Sequence, residues 1–144
     1  MPKVRQLLEQ KGTDVATIAG DCTALEAARM MNAKRIGSVV VLHDEHVAGI
    51  VTERDLMNRV IAEERNPAET KVADIMTANV ACACQDTTLD ELRQTMREKR
   101  IRHVPIINDE RKLLGIVSIG DLNIVEHRIK EETIQYLEQY MYRP

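Results

Sequence analysis

One seven-residue stretch of this chain occurs twice. Gly49-Ile50-Val51-Thr52-Glu53-Arg54-Asp55 is echoed 66 positions later by Gly115-Ile116-Val117-Ser118-Ile119-Gly120-Asp121. A glycine, two β-branched apolar residues, a hydroxyl, two free positions and an aspartate recur in register. The echo reaches well beyond the motif. Val15, Asp21, Thr23, Glu26, Met31, Lys34, Arg35 and Ile36 match Val80, Asp86, Thr88, Glu91, Met96, Lys99, Arg100 and Ile101, all at an offset of 65. Val4, Leu7 and Leu8 resemble Val72, Ile75 and Met76 at an offset of 68, so the first copy carries three extra residues around Gln10 to Gly12. A duplication of this extent requires two like units, with insertions confined to exposed loops.

The chain has 144 residues. Each copy, at about 65 residues, would be marginal alone, which predicts two halves sharing one core. Within a unit, Val15 to Ile18 reads as a short extended segment. Thr23 and Glu26 fit the N-cap and N3 positions of a helix, as do Thr88 and Glu91. Apolar residues follow at helical spacing: Ala24, Ala27, Met31 and Leu89, Leu92, Met96. The β-branched run Ser38 to Leu42 predicts a buried strand, with His103 to Ile107 as its twin. Asp44-Glu45 and Asn108-Asp109-Glu110 supply turns, and the second hairpin strands are Val47 to Val51 and Leu113 to Val117. A further helix starts at Thr52 or Ser118. The predicted class is α/β, with two β-α-β-β-α repeats packed as a pseudo-twofold pair and a C-terminal helical extension. The divisions are residues 1–66, 67–130 and a tail at 131–144, with Arg65 to Lys71 as the linker. In the tail, Leu122, Val125, Ile129, Tyr136 and Tyr140 form an apolar stripe with Ile134, Leu137 and Met141 beside it, and Thr133 is a point where the helix restarts. The stripe fits packing on another subunit, packing across the module, or a lid over the body.

Several function classes find no footing. The net charge is −3, without a run of Lys or Arg, so no electrostatic footprint for nucleic acid exists. Phe and Trp are absent, and Tyr136, Tyr140 and Tyr142 sit in the tail, so base-stacking platforms are missing from the body. No apolar run approaches about 18 residues and no signal peptide opens the chain, which predicts a cytoplasmic protein away from membranes. Cys22, Cys82 and Cys84 read as reduced, buried thiols, with Cys82 and Cys84 on one face of a strand. His43 and His46 lie at a hairpin turn without further ligands. No nucleophile-base-orienter set or His-Glu-x-x-His motif is visible, so no enzyme is expected.

The paired motifs have two readings. Thr52 and Ser118 are N-caps, and Asp55 and Asp121 are N3 acids favoured by the helix dipole. The same helix starts offer free N–H groups to an anion such as phosphate, and an acid there can accept bonds from a ribose diol. Gly49 and Gly115 allow a tight turn or a close backbone approach. One hydroxyl can cap a helix and touch a ligand at once.

These motifs, with Arg35-Ile36-Gly37-Ser38-Val39-Val40-Val41 and Arg100-Ile101-Arg102-His103-Val104-Pro105-Ile106, make the chain resemble tandem CBS-domain proteins, the repeat family named after cystathionine β-synthase. The resemblance covers about residues 1 to 130 and is nearest to the free-standing bacterial type. It implies a regulatory module with two clefts that bind adenosine compounds such as AMP, ADP, ATP or NAD(H), with no other cofactor. A ligand-free dimerisation or interaction scaffold is the alternative. By resemblance, one cleft would use Thr52 and Asp55 with Val80, Ile101 and Arg102. The other would use Ser118 and Asp121 with Val15, Ile36, Gly37 and Ser38. Candidate cations for phosphates are Arg54, Arg102 and His103, then Lys34 and Lys99. The copies differ where Val40 faces Pro105 and where Glu53-Arg54 faces Ile119-Gly120, which predicts an extra cation beside Asp55 only. The resemblance also implies a homodimer; the downstream protein target is left open.

Overall fold

The computed structural model describes residues 2–141. A short helix, α1 (Val4–Lys11), leads into strand β1 (Thr17–Ala19), helix α2 (Ala24–Lys34), the hairpin β2 (Ser38–His43) and β3 (His46–Thr52), and helix α3 (Glu53–Leu56), which runs on into one π-helical turn, Met57–Ile61. The second half follows with α4 (Val72–Ile75), α5 (Leu89–Lys99), β4 (His103–Ile107), β5 (Leu113–Ser118) and a long α6 (Ile119–Met141). Thr23 and Thr88 accept the Glu26 and Glu91 N–H groups, as their capping positions predict. Helices α2 and α5 end at Arg35 and Arg100, both left-handed at φ 53° and 55°. Ile36 and Ile101 then donate back to the carbonyls of Met31 and Met96, closing each helix in a Schellman-type turn.

The first half builds a three-stranded sheet, β1-β2-β3, while the second builds the β4–β5 hairpin. Proline explains the difference. Val40 donates its N–H to the Ala16 carbonyl beside β1. Pro105 stands at the matching place and has no N–H to give. The expected first strand of the second half therefore shrinks to a single bridge between Ala83 and Ile106. Cys82 and Cys84 accordingly do not share a strand face. Cys84 is exposed, and Cys22 and Cys82 are half-buried, which corrects the reading of buried thiols.

Two apolar clusters form, and each is completed by the other repeat. Val4, Leu7 and Leu8 of α1 pack with Leu89, Leu92, Met96, Val104, Ile106, Val117 and Leu122. Val72 and Ile75 of α4 pack with Ile18, Ala24, Ala27, Met31, Val39, Val41, Val51 and Val60. Burying one such side chain contributes about 1.5–3 kcal/mol, so each half draws substantial stability from a helix of its sibling. The exchange is repeated in the backbone. Lys3 bridges Thr88 and Lys71 bridges Thr23, the same pairing with the two repeats interchanged. The linker also has a structural task, since Pro67 and Thr70 carbonyls accept the Leu25 and Ala24 N–H groups at the start of α2.

Helix α6 is continuous through Thr133, so no restart occurs there. Leu122 is buried in the cluster built with α1, and Val125 packs at its edge. Ile129, Ile134, Tyr136, Leu137, Tyr140 and Met141 are all exposed. The tail is not a lid over the body. Tyr142 lies outside the described residues. No described helix is long and apolar enough to cross a membrane.

Candidate functional site

The two aspartates occupy pseudo-equivalent helix starts but meet different partners. Asp55 is 7% exposed. Its Oδ2 accepts from the Thr52 N–H at 2.9 Å and the Thr52 hydroxyl at 3.2 Å. Its Oδ1 accepts from the Thr77 hydroxyl at 3.1 Å. Thr77 follows α4, and its backbone N–H donates to the Ile50 carbonyl at 2.9 Å. Asp55 is therefore a reciprocal helix cap tied to the chain that crosses over from the other repeat.

Asp121 makes the same cap, accepting from the Ser118 N–H at 2.8 Å while its own N–H donates to Ser118 Oγ at 3.1 Å. Its outside partner is the Lys11 ammonium at 2.6 Å, which also donates to the Ile116 carbonyl at 2.6 Å. Ile116 matches Ile50 in the motif, so Lys11 makes with one ammonium the two contacts that Thr77 makes with an N–H and an O–H. Lys11 lies in the three-residue excess of the first copy. It closes α1, where a cation also suits the helix dipole. Burial pushes the Asp121 carboxyl up, but the Lys11 and Ser118 bonds outweigh that and hold it below its ordinary value.

Residues of both repeats meet around this second aspartate and its neighbour His103. His103 begins β4 directly opposite Ser118 in the hairpin. Burial lowers its pKa. The charges of Asp121 and Glu53 act against that shift, and those of Lys11 and Arg102 act with it. Gly37 from the first repeat closes the group: a methyl placed on it would lie 3.1 Å from Glu53 Oε1 and 3.7 Å from His103 Cε1. Glycine at that corner leaves room for the Glu53 carboxylate beside it.

The motif glycines have the same use. A Cβ on Gly49 would stand 2.6 Å from Met76 Sδ and 2.8 Å from the Thr77 carbonyl. On Gly115 it would stand 2.8 Å from Leu8 Cδ2. Close approach, not a turn, requires them, and the approaching groups belong to the exchanged lead-in segments.

The remaining expected site residues are scattered. Ile36 and Gly37 line a cavity of about 370 Å³ with Met31, Arg35, Glu53 and Leu56. Val15 lines another of about 360 Å³ with Thr17, Leu42, Lys112 and Leu113, where the two hairpins meet. Neither lining includes Asp55 or Asp121. Ser38 is buried at the start of β2, Ile101 packs against the cluster built with α1, Val80 is half-buried, and Arg102 and Gly120 are exposed. The expected extra cation at Asp55 is not there. Arg54 is exposed and makes no ion pair among the described residues. Arg59 comes only to 4.0 Å of Asp55 Oδ1 and spends its Nη1 on the Ile75 and Met76 carbonyls. The close cation is Lys11, at the other aspartate. Sequence reading passed over Lys11 and Thr77; the three-residue excess was the signal for the first. Among the described residues no group of three His, Cys, Asp or Glu could hold a metal.

Known proteins are similar to this chain in sequence and fold. The family model for the CBS domain matches residues 5–62 and 72–125. An uncharacterized protein of Methanopyrus kandleri is 37% identical over 131 residues, covering 88% of this chain and 67% of the relative. A CBS-domain-containing protein of Agrobacterium tumefaciens is 39% identical with a TM-score of 0.81, covering 86% of this chain and 98% of that one. Two more distant structures share the fold. A CBS pair described with 5′-methylthioadenosine and S-adenosyl-L-methionine is 23% identical (TM-score 0.79, covering 88% and 97%). A Pyrobaculum aerophilum CBS protein complexed with AMP is 22% identical (TM-score 0.74, covering 83% and 88%). With its duplicated motif, its exchanged lead-in helices and these matches over both halves, the chain belongs to the CBS-domain family.

Proposed function

We propose that this chain is a regulatory module that binds an adenosine-containing ligand, such as AMP, ADP, ATP or NAD(H), between its two repeats. The observation that carries the reading is that both repeats meet at Asp121 and its neighbour His103: Lys11 of the first repeat and Ser118 of the second bond Asp121, and Gly37 and Glu53 of the first lie beside His103. A site built across the pair couples ligand binding to the packing of one half on the other, which is what a sensor needs. Ser118 and Asp121 are assigned to the ribose, and Val15, Ile36, Gly37 and Ser38 to the adenine side. His103 is assigned to phosphates. Thr52, Asp55, Val80, Ile101 and Arg102, with Arg54, make up the proposed set at the other cleft. The adenosine ligands of two fold neighbours support the ligand class.

Calorimetric titration with AMP, ATP and NADH tests the proposal. The expected result is binding by the native chain and a loss on the order of 10- to 150-fold in Asp121→Ala, from removing one charged acceptor. Equal affinity in the variant, or no binding and no rise in Tm with any of the three, defeats it.

A second reading, an interaction scaffold that pairs as a homodimer, is favoured by the exposed apolar residues on the outer helices. Met57 and Ile61 are 55% and 73% exposed, and Ile124 is 62% exposed. Sedimentation of the native chain and of Ile61→Asp checks it: a dimer dissociated by the charge supports the scaffold, and a monomeric native chain rejects it.

A further inference from the structure

We infer that Lys11 is the specificity residue of the Asp121 cleft, an exchangeable cation that releases the aspartate to a ribose and turns to the ligand's phosphates. The inference rests on the adenosine-ligand reading above and deepens it. The two aspartates carry the same cap and differ in what seals them. At Asp55 the seal is the short hydroxyl of Thr77, locked in place by the two-way backbone pairing of Thr77 with Ile50. At Asp121 the seal is an ammonium on a flexible four-carbon arm, 26% exposed, reaching from the end of α1. A lysine can leave and be resolvated where a backbone-anchored threonine cannot.

Charge decides where the ammonium goes. In the structure it balances the Asp121 carboxylate and bonds the Ile116 carbonyl. A ribose diol donates to the carboxylate and replaces that bond, but leaves the ammonium without an anion. Phosphates on the same ligand supply one, with an N⁺–H···O⁻ bond as strong as the one surrendered. An unphosphorylated nucleoside supplies none and must displace Lys11 without compensation. The Asp121 cleft therefore selects phosphorylated nucleosides, and the Asp55 side, sealed by neutral donors, has no such device.

Titration of adenosine, AMP and ATP into the native chain, Lys11→Gln and Lys11→Arg tests this, with a thermal melt of each to verify folding. Glutamine keeps a neutral donor, as Thr77 does, and arginine keeps the charge. The native chain is expected to prefer ATP and AMP to adenosine. Lys11→Gln should weaken both nucleotides on the order of 10- to 150-fold and leave adenosine unchanged or tighter, and Lys11→Arg should keep the preference. If Lys11→Gln weakens all three ligands alike, or none of them, the specificity role is wrong while the adenosine reading stands. A native chain that binds adenosine as well as ATP overturns the role in the same way. A native chain that binds none overturns both.

Discussion

Asp55 and Asp121 begin from one motif and end in different chemistry. Both cap a helix through a hydroxyl three residues earlier, so the motif itself accounts for the local geometry. What differs arrives from across the pair: a threonine behind α4 for one, a lysine at the end of α1 for the other. The lesson is that a repeated motif fixes a helix start, and the exchanged lead-in decides whether the acid on it is a structural cap or an available charge.

The sharpest way to test that contrast is to stress the two glycines. Gly49→Val drives a side chain against the Thr77 backbone and Met76, while Gly115→Val meets only the flexible end of Leu8. Overpacking typically costs about 1–3 kcal/mol. Gly49→Val is expected at or above the top of that range and Gly115→Val near the bottom, read as urea midpoints at constant slope. Equal losses would remove the distinction between a rigid and a yielding neighbour.

The acids come next. Asp55→Ala leaves the Thr77 hydroxyl and the Thr52 N–H without their partner in a part-buried site, at a cost of about 1–3 kcal/mol. Asp121→Ala also frees the Ser118 N–H, but Lys11 sits on a flexible arm, 26% exposed, and can turn to water, so the loss should be the smaller, about 0.5–2 kcal/mol for a lost cap. Chemical denaturation of both variants checks the order, and a larger loss at Asp121 would reverse the roles assigned here.

The smallest effect is in pH. The folded pKa of His103 lies below its ordinary 6.5, so the unfolded chain takes up its proton first as pH falls. Stability is expected to decline as pH drops below about 6.5, and His103→Gln should flatten that limb in a series of urea titrations. Asp121, held below 3.8, contributes stability above that value and loses it as the pH falls further, and Lys11→Gln should weaken this acid limb. A decline unchanged by His103→Gln would place the responsible group elsewhere.

Much of this fold could be read from the chain. The capping threonines, the hairpins and the β-branched runs depend on neighbours a few residues away, and a duplicated pattern tests each of them twice. The Val40 and Pro105 difference was visible as well. Its consequence was not: a missing N–H matters only once another strand is present to receive it. The destination of Lys11 was hidden for the same reason, because 110 residues separate it from Asp121. Burial of the cysteines failed through position, since Cys84 lies on a segment that never becomes a strand.

Sequence alone therefore determined the repeat, the order of its helices and strands, and the hydroxyl-acid cap at each helix start, because these rest on local backbone bonding and apolar periodicity. Only the tertiary structure decided that each lead-in helix completes the opposite core, that Gly49 and Gly115 admit that helix, and that the cation belongs to Asp121. Those outcomes follow from excluded volume and charge between segments far apart in the chain, which no local pattern records.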